Sequence, residues 1–135
     1  MAQYRHINRV LKPSGVIRIA TPDLRFLVDL YQNPEKPINK AYINWSANGG
    51  GNVSPIPENS VFVINKFHTA WGHQIIYDHE TLSDLMRKHG FKDICPCEIS
   101  KSKHAELNNI EGHFKYMPFD YYELETMIVE ASNDK

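Results

Sequence analysis

The chain has 135 residues, of which 41% are hydrophobic and 23% charged, and its formal net charge at pH 7 is −1. This length and composition fit a single domain, residues 1–135, with one modest core. The near-neutral charge gives no electrostatic basis for binding nucleic acid or an anionic membrane. Because no apolar run approaches the roughly 20 residues that span a bilayer and no signal-peptide pattern is present, we expect a cytoplasmic protein.

The segment Leu11–Asp23, LKPSGVIRIATPD, predicts a helix end, a turn, a strand and a loop in that order. Its KPSG portion has turn composition, since proline fixes φ and glycine tolerates positive φ. The apolar run that follows is interrupted only by Arg18, and helical patterns flank it, which is typical of a strand covered by helices on both faces of a sheet. Ligands of open α/β sheets lie beyond the carboxyl ends of the strands, so chemistry is expected near Asp23.

Hydrophobic spacing predicts the other elements. Three segments have helical periodicity: Met1–Leu11, Leu24–Tyr31 and Asp78–His89. Asp23 and Asp78 are suitable N-caps for the second and third helices, and Gly90 is a suitable left-handed residue after the third. Two further strands are predicted, around Ile94–Ser100 and Leu124–Ala131.

Residues 35–77 are predicted to be a largely irregular, lid-like segment. Short helical stretches fit Ile38–Trp45 and the residues near Phe62, on either side of the glycine run Asn48–Asn52. That run lacks the Gly-Lys-Ser/Thr and the helix start of a phosphate-binding P-loop. A flexible loop is therefore favoured over a phosphate cradle.

The stretch RVLKPSGVIRIATPDL resembles the segment that introduces the fifth strand of class I S-adenosylmethionine-dependent methyltransferases, with Ser14 in place of the first glycine of the usual pair. The later stretches FHTAWGHQIIYDHETLSDLMRKHGF and LETMIVEA are similar to those of a little-characterised bacterial group of predicted methyltransferases. The resemblance covers most of the chain. It implies the C-terminal half of a Rossmann-like α/β fold, with the last three strands of the sheet and the final strand inserted antiparallel between the other two.

In that family the cofactor is held mainly by the first half of the domain. The glycine-rich loop after the first strand and the acidic residue ending the second have no counterpart in this chain. We therefore expect no cofactor-binding residues here and no binding of S-adenosylmethionine by this chain alone. The resemblance thus implies a truncated methyltransferase that is inactive without a partner polypeptide or a missing N-terminal half.

The alternative function is a non-catalytic binding or assembly module. The predicted strand at Val16–Thr21 would lack its neighbour in the family sheet and expose unpaired backbone groups. The apolar face of the first helix, with Tyr4, Ile7 and Val10, would also lack partners. Both features predict a homo-oligomer, with a dimer across a two-fold axis as the simplest form.

Candidate substrate-side residues cluster before the Asp78 helix: His68, Trp71, His73 and Tyr77. By resemblance this segment is the signature of the bacterial group, and histidine exchanges protons near neutral pH. Alternatively, the aromatic rings pack over the sheet and the histidines satisfy local hydrogen bonds. Asp23 is either catalytic or only a helix cap. His104 and His113, in a polar loop, either face the same cleft or are solvated.

A metal site is not predicted. His68 and His73 are five positions apart, which is neither helical nor strand spacing for a zinc pair, and Cys95-Pro96-Cys97 lacks the usual two-residue spacer. A disulfide between these cysteines would close a strained ring. Two free thiols in a reducing compartment are expected.

Overall fold

We describe the chain from a computed structural model, which covers the backbone of residues 2–112 and 115–135 and their side chains from His6 onward. Within these residues lie six α-helices, three strands and one short 3-10 helix, Ala105–Leu107. In chain order the main elements are α1 (Ala2–Val10), β1 (Val16–Pro22), α2 (Leu24–Gln32), α3 (Pro37–Ala47), α4 (Ser60–Thr69), α5 (His79–Lys88), β2 (Phe91–Cys97), α6 (Phe119–Glu125) and β3 (Thr126–Asn133). The protein is an α/β protein, as the sequence predicts.

The three strands form one open sheet in the order β1–β3–β2. β3 pairs antiparallel with both neighbours, so β1 and β2 run parallel to each other on either side of it. The predicted strand order and the antiparallel final strand are therefore confirmed.

The second and third strands have other bounds than predicted, Phe91–Cys97 and Thr126–Asn133. β2 begins at Phe91, three residues early, because Gly90 at φ +83 turns the chain directly after α5. β3 begins at Thr126 because the preceding residues form α6, which the sequence did not suggest. The amides of Tyr121 and Tyr122 both donate to Pro118 O at 3.1 Å, which starts this helix immediately after the proline.

Contacts divide the chain into two compact units. The first comprises residues 2–22, 77–112 and 126–135, and the second comprises residues 23–76 and 115–125. The core of the first unit lies on one sheet face, where alternate β3 residues Met127, Val129 and Ala131 are buried with Leu82 and Met86 of α5.

The other face of this sheet is held by a buried ion network around Arg18. Its guanidinium contacts Glu111 at 2.5 Å and the cross-strand residue Glu130 at 2.6 Å. It also donates to the carbonyls of Glu98 and Lys101 at 2.8 and 2.9 Å. Arg18, which interrupts the apolar run in the sequence, thus fastens the polar segment 98–111 to β1. A polar loop, in place of the expected helix, covers this face.

The second unit is helical. α2, α3 and α4 surround an aromatic and aliphatic core in which Leu30, Tyr42 and Val63 are completely buried. Residues 35–77, expected to be irregular, carry the two full helices α3 and α4. α3 starts with Pro37 at its first position and α4 with Asn59 as a side-chain cap, so local signals for both helices are present in the sequence.

Candidate functional site

The most unusual chemistry of the second unit lies at a buried pair, Tyr42 and Glu125. The Tyr42 side chain has no exposed surface, and its hydroxyl donates a hydrogen bond to Glu125 Oε2. Burial raises the pKa of Glu125 to about 7, although the Tyr42 hydrogen bond acts in the opposite direction. Burial and the charge of Glu125 raise the pKa of Tyr42 well above its ordinary value. A carboxyl group of this kind exchanges a proton near neutral pH.

Backbone contacts hold Glu125 next to Asp23. Glu125 is the last residue of α6, and its carbonyl accepts a hydrogen bond from the amide of Asp23 at 2.9 Å. Asp23 follows β1 directly in the chain, and its side chain accepts from the Arg25 amide at 2.9 Å. The predicted capping role of Asp23 is therefore confirmed. Asp23 is half-buried and directly follows the carboxyl end of β1, which is where ligands bind in open α/β sheets.

Aromatic rings pack around Tyr42 and fix its position. Its ring centroid lies 4.9 Å from Phe26, 5.5 Å from Trp45 and 5.5 Å from Tyr121, mostly in edge-to-face arrangements. Trp45 and Tyr121 are themselves 5.2 Å apart. Because these rings contact one another, they form a packed wall beside Glu125, without an open cage between them. We call Asp23, Tyr42 and Glu125, with this wall, the strand-end cluster.

Three of the predicted substrate-side residues lie together at the carboxyl end of α4 and in the turn that follows it. His68 Nδ1 lies 2.6 Å from the carbonyl of His73, and Trp71 packs edge-on against Phe67 at 5.0 Å. Burial and the nearby charge of His68 lower the pKa of His73. The His68 contact is local, as the second interpretation predicts for the histidines, whereas Trp71 packs on Phe67 of α4 and not over the sheet. The side chains of His68 and Trp71 are both exposed.

The other predicted residues do not join this turn. Tyr77 packs against the core of the first unit, and the exposed His104 precedes the 3-10 helix of that unit. His113 lies outside the residues that the structure describes. Asp78 caps α5 by accepting from the Thr81 amide at 2.8 Å, as predicted.

A buried lysine holds the glycine run. Lys66, 2% exposed, donates to the carbonyls of Ser46 at 2.5 Å and Gly50 at 3.1 Å, at the carboxyl end of α3. Burial lowers the pKa of Lys66. A Cβ on Gly51, at φ +76, would lie 2.8 Å from the Trp71 ring. The Gly50 carbonyl of the run is thus engaged by Lys66, and Gly50 and Gly51 lie against the rings of Trp45 and Trp71.

Sequence reasoning missed Tyr42 and Glu125. They are 83 positions apart, and no motif joins them. The sequence shows a tyrosine and a tryptophan in the segment that forms α3. The Tyr42–Glu125 pair, however, depends on α6, which the sequence does not predict. Over the described ranges, no group of three or more His, Cys, Asp or Glu side chains converges to hold a metal ion. In the same part of the chain, no helix has the length and apolar character needed to cross a bilayer.

Comparison with known proteins identifies no relative of this chain. No family model, no curated protein and no solved structure matches the chain.

Proposed function

We propose that this chain is the substrate-side part of a class I S-adenosylmethionine-dependent methyltransferase. The observation that carries the proposal is the sheet: the last strand lies antiparallel between two strands that are parallel to each other. The sequence resemblance of RVLKPSGVIRIATPDL predicts this arrangement for the end of that family's sheet. Two independent features, a local sequence pattern and a long-range strand order, therefore support the same fold family.

In this proposal the strand-end cluster and the turn after α4 form the wall that faces the methyl acceptor. Methyl transfer requires the acceptor to be aligned with the sulfonium methyl group, and rigid aromatic walls supply such positioning. Glu125 is available to take a proton from the acceptor near neutral pH. Cofactor-binding residues would come from a glycine-rich strand–turn–helix unit that the 135 residues do not contain.

The test is a calorimetric titration of two proteins with S-adenosylmethionine and S-adenosylhomocysteine. The first is this chain, and the second is the chain extended by the in-frame sequence encoded upstream of it. We expect no heat of binding for the chain up to millimolar ligand, and micromolar binding for an extended protein that includes a glycine-rich strand–turn–helix. Micromolar binding by the chain alone, or an upstream sequence without that unit, would refute the proposal.

A second candidate function is an assembly module that uses the edge of β1. Among the described residues β1 pairs only with β3, and most of its residues are half-buried whereas β3 is largely buried. An apolar strand with a free edge is a template for pairing with another chain. If β1 pairs with a second copy, the outward-facing amides of Val16–Pro22 should become protected from hydrogen exchange as protein concentration rises. A monodisperse monomer at micromolar concentration would exclude this function.

A further inference from the structure

The turn at residues 68–73 is closed by two hydrogen bonds of one residue, His73. The His73 amide donates to the Phe67 carbonyl at 3.3 Å, and the His73 carbonyl accepts from His68 Nδ1 at 2.6 Å. Because a carbonyl oxygen only accepts, His68 Nδ1 carries its proton whether the His68 ring is neutral or charged. Both bonds use the backbone of His73, so the position of this residue decides whether the turn stays closed.

The closed turn holds Trp71 against buried groups of the second unit. The Trp71 ring packs edge-on against Phe67, with ring centroids 5.0 Å apart, and Phe67 is only 1% exposed. The same ring lies so close to Gly51 that a Cβ on this glycine would come within 2.8 Å of it. The Lys66 ammonium lies 5.7 Å from the centroid of the Trp71 ring. Opening of the turn would therefore free Trp71 from both Phe67 and the glycine run.

The residue that closes the turn has a titratable side chain. His73 is half-buried, and burial together with the charge of His68 lowers the pKa of His73 from its ordinary value of 6.5. The closed turn thus favours the neutral His73 ring, whereas contact with water favours the charged ring. Titration of His73 leaves the closed turn unaffected well above pH 6.5 and weakens it as the pH falls below that value.

The charges around the turn favour the neutral ring as well. Every ionisable side chain from Lys66 to His73 is basic, and the glycine run has no ionisable side chain. α2 and α3, which pack on α4, carry three charged residues: Arg25, Asp29 and Lys40. Of these three only Asp29 is acidic, and its carboxylate accepts from Asn39 at 2.8 Å in the first turn of α3. Protonation of His73 therefore adds a positive charge to a turn whose own charges are already positive.

We propose that residues 68–73 form a pH-sensitive switch, in which protonation of the His73 side chain opens the turn and releases Trp71 from Phe67 and the glycine run. The switch needs only a proton from the solvent and closes again when the pH is raised. It depends on contacts within the second unit and is independent of the methyltransferase proposal. Only its effect on a methyl acceptor would rest on that proposed function, in which the same turn faces the acceptor.

The test is fluorine NMR of the chain labelled with 5-fluorotryptophan, recorded from pH 8 to pH 5. The chain has two tryptophans, and Trp71→Phe assigns the resonance of Trp71. We expect this resonance to move toward its position in the urea-unfolded chain as the pH falls below 6.5, while the far-ultraviolet circular dichroism stays unchanged. The His73 amide should exchange with solvent about tenfold faster for each pH unit below 6.5, relative to its intrinsic rate, until the pKa of His73 is reached.

His73→Gln removes the titration and should therefore remove the transition of the Trp71 resonance. The matched control is His104→Gln, which removes an exposed histidine of the first unit and should retain the transition. Circular dichroism at pH 8 establishes that each variant is folded, and amide exchange of the natural protein tests the switch without any variant.

Three results would overturn the proposal. The first is a Trp71 resonance that does not move between pH 8 and pH 5, and the second is a transition that persists in His73→Gln. The third is loss of the circular dichroism signal at the same pH as the transition, because the whole chain would then unfold.

Discussion

Glu125 should make the second unit less stable as the pH rises through neutrality. Burial raises the pKa of Glu125 from 4.5 to about 7, so the folded chain binds this proton more tightly than the unfolded chain does. The stabilisation from this group is complete below pH 4.5, declines as the pH rises, and is lost above about pH 7. The whole change corresponds to at most about 3 kcal/mol of unfolding free energy.

The perturbation that isolates this effect is Glu125→Gln. Glutamine stays neutral, and its amide oxygen can still accept the Tyr42 hydrogen bond. We expect the variant and the natural protein to have similar stability near pH 4.5 and the variant to be more stable at pH 8, by up to about 3 kcal/mol. Titrations elsewhere, such as those of Glu111 and Glu130, affect both proteins equally and cancel in the difference.

The assay is urea unfolding at a series of pH values, followed by tryptophan fluorescence. The chain has two tryptophans, Trp45 and Trp71, and both lie in the second unit, so the signal reports on the unit that contains Glu125. Tyr42→Phe is the control, because it removes the donor and should destabilise the protein most at high pH, by about 1–3 kcal/mol. A constant stability difference between Glu125→Gln and the natural protein from pH 4.5 to 8 would refute the reasoning.

Substitutions at three other positions test the remaining polar contacts. Arg18→Met leaves Glu111 and Glu130 buried without their cation and should cost about 3–5 kcal/mol in urea unfolding at pH 7; a loss below about 1 kcal/mol would mean that these carboxylates reach water. Lys66→Met removes the donor to two carbonyls at the end of α3 and should cost about 1–3 kcal/mol with a change in tryptophan emission, whereas unchanged stability would show that water replaces it. Asp78→Ala should cost about 1 kcal/mol in thermal unfolding through loss of the α5 cap, and Asp78→Asn should recover most of it; equal losses in both would contradict a capping role.

The sequence predicted helix starts and turns correctly where the signal lies within a few neighbouring residues. α2 and α5 begin at the predicted aspartate caps, and Gly90 has the positive φ expected after α5. The strand order was predicted through the family resemblance and is confirmed. α6 was missed because a seven-residue helix has too few residues for periodicity to identify it.

The candidate site was predicted less well than the fold. His68, Trp71 and His73 meet in one turn because they are close in sequence, whereas Tyr77 packs in another core. The glycine run, expected to be a loop, is a turn in which Gly50 accepts from Lys66 and the rings of Trp45 and Trp71 lie against Gly50 and Gly51. Neither contact has a pattern in the sequence.

Sequence alone determined the helix boundaries at Asp23 and Asp78 and the strand β1, since caps, turns and periodicity act within a few residues. Only the tertiary structure decided what the buried polar groups do. Arg18 finds its carboxylates 93 and 112 positions away, and Tyr42 finds Glu125 at a distance of 83 positions. Burial sets the pKa of Glu125, and burial is a property of how distant segments pack, which no local pattern encodes.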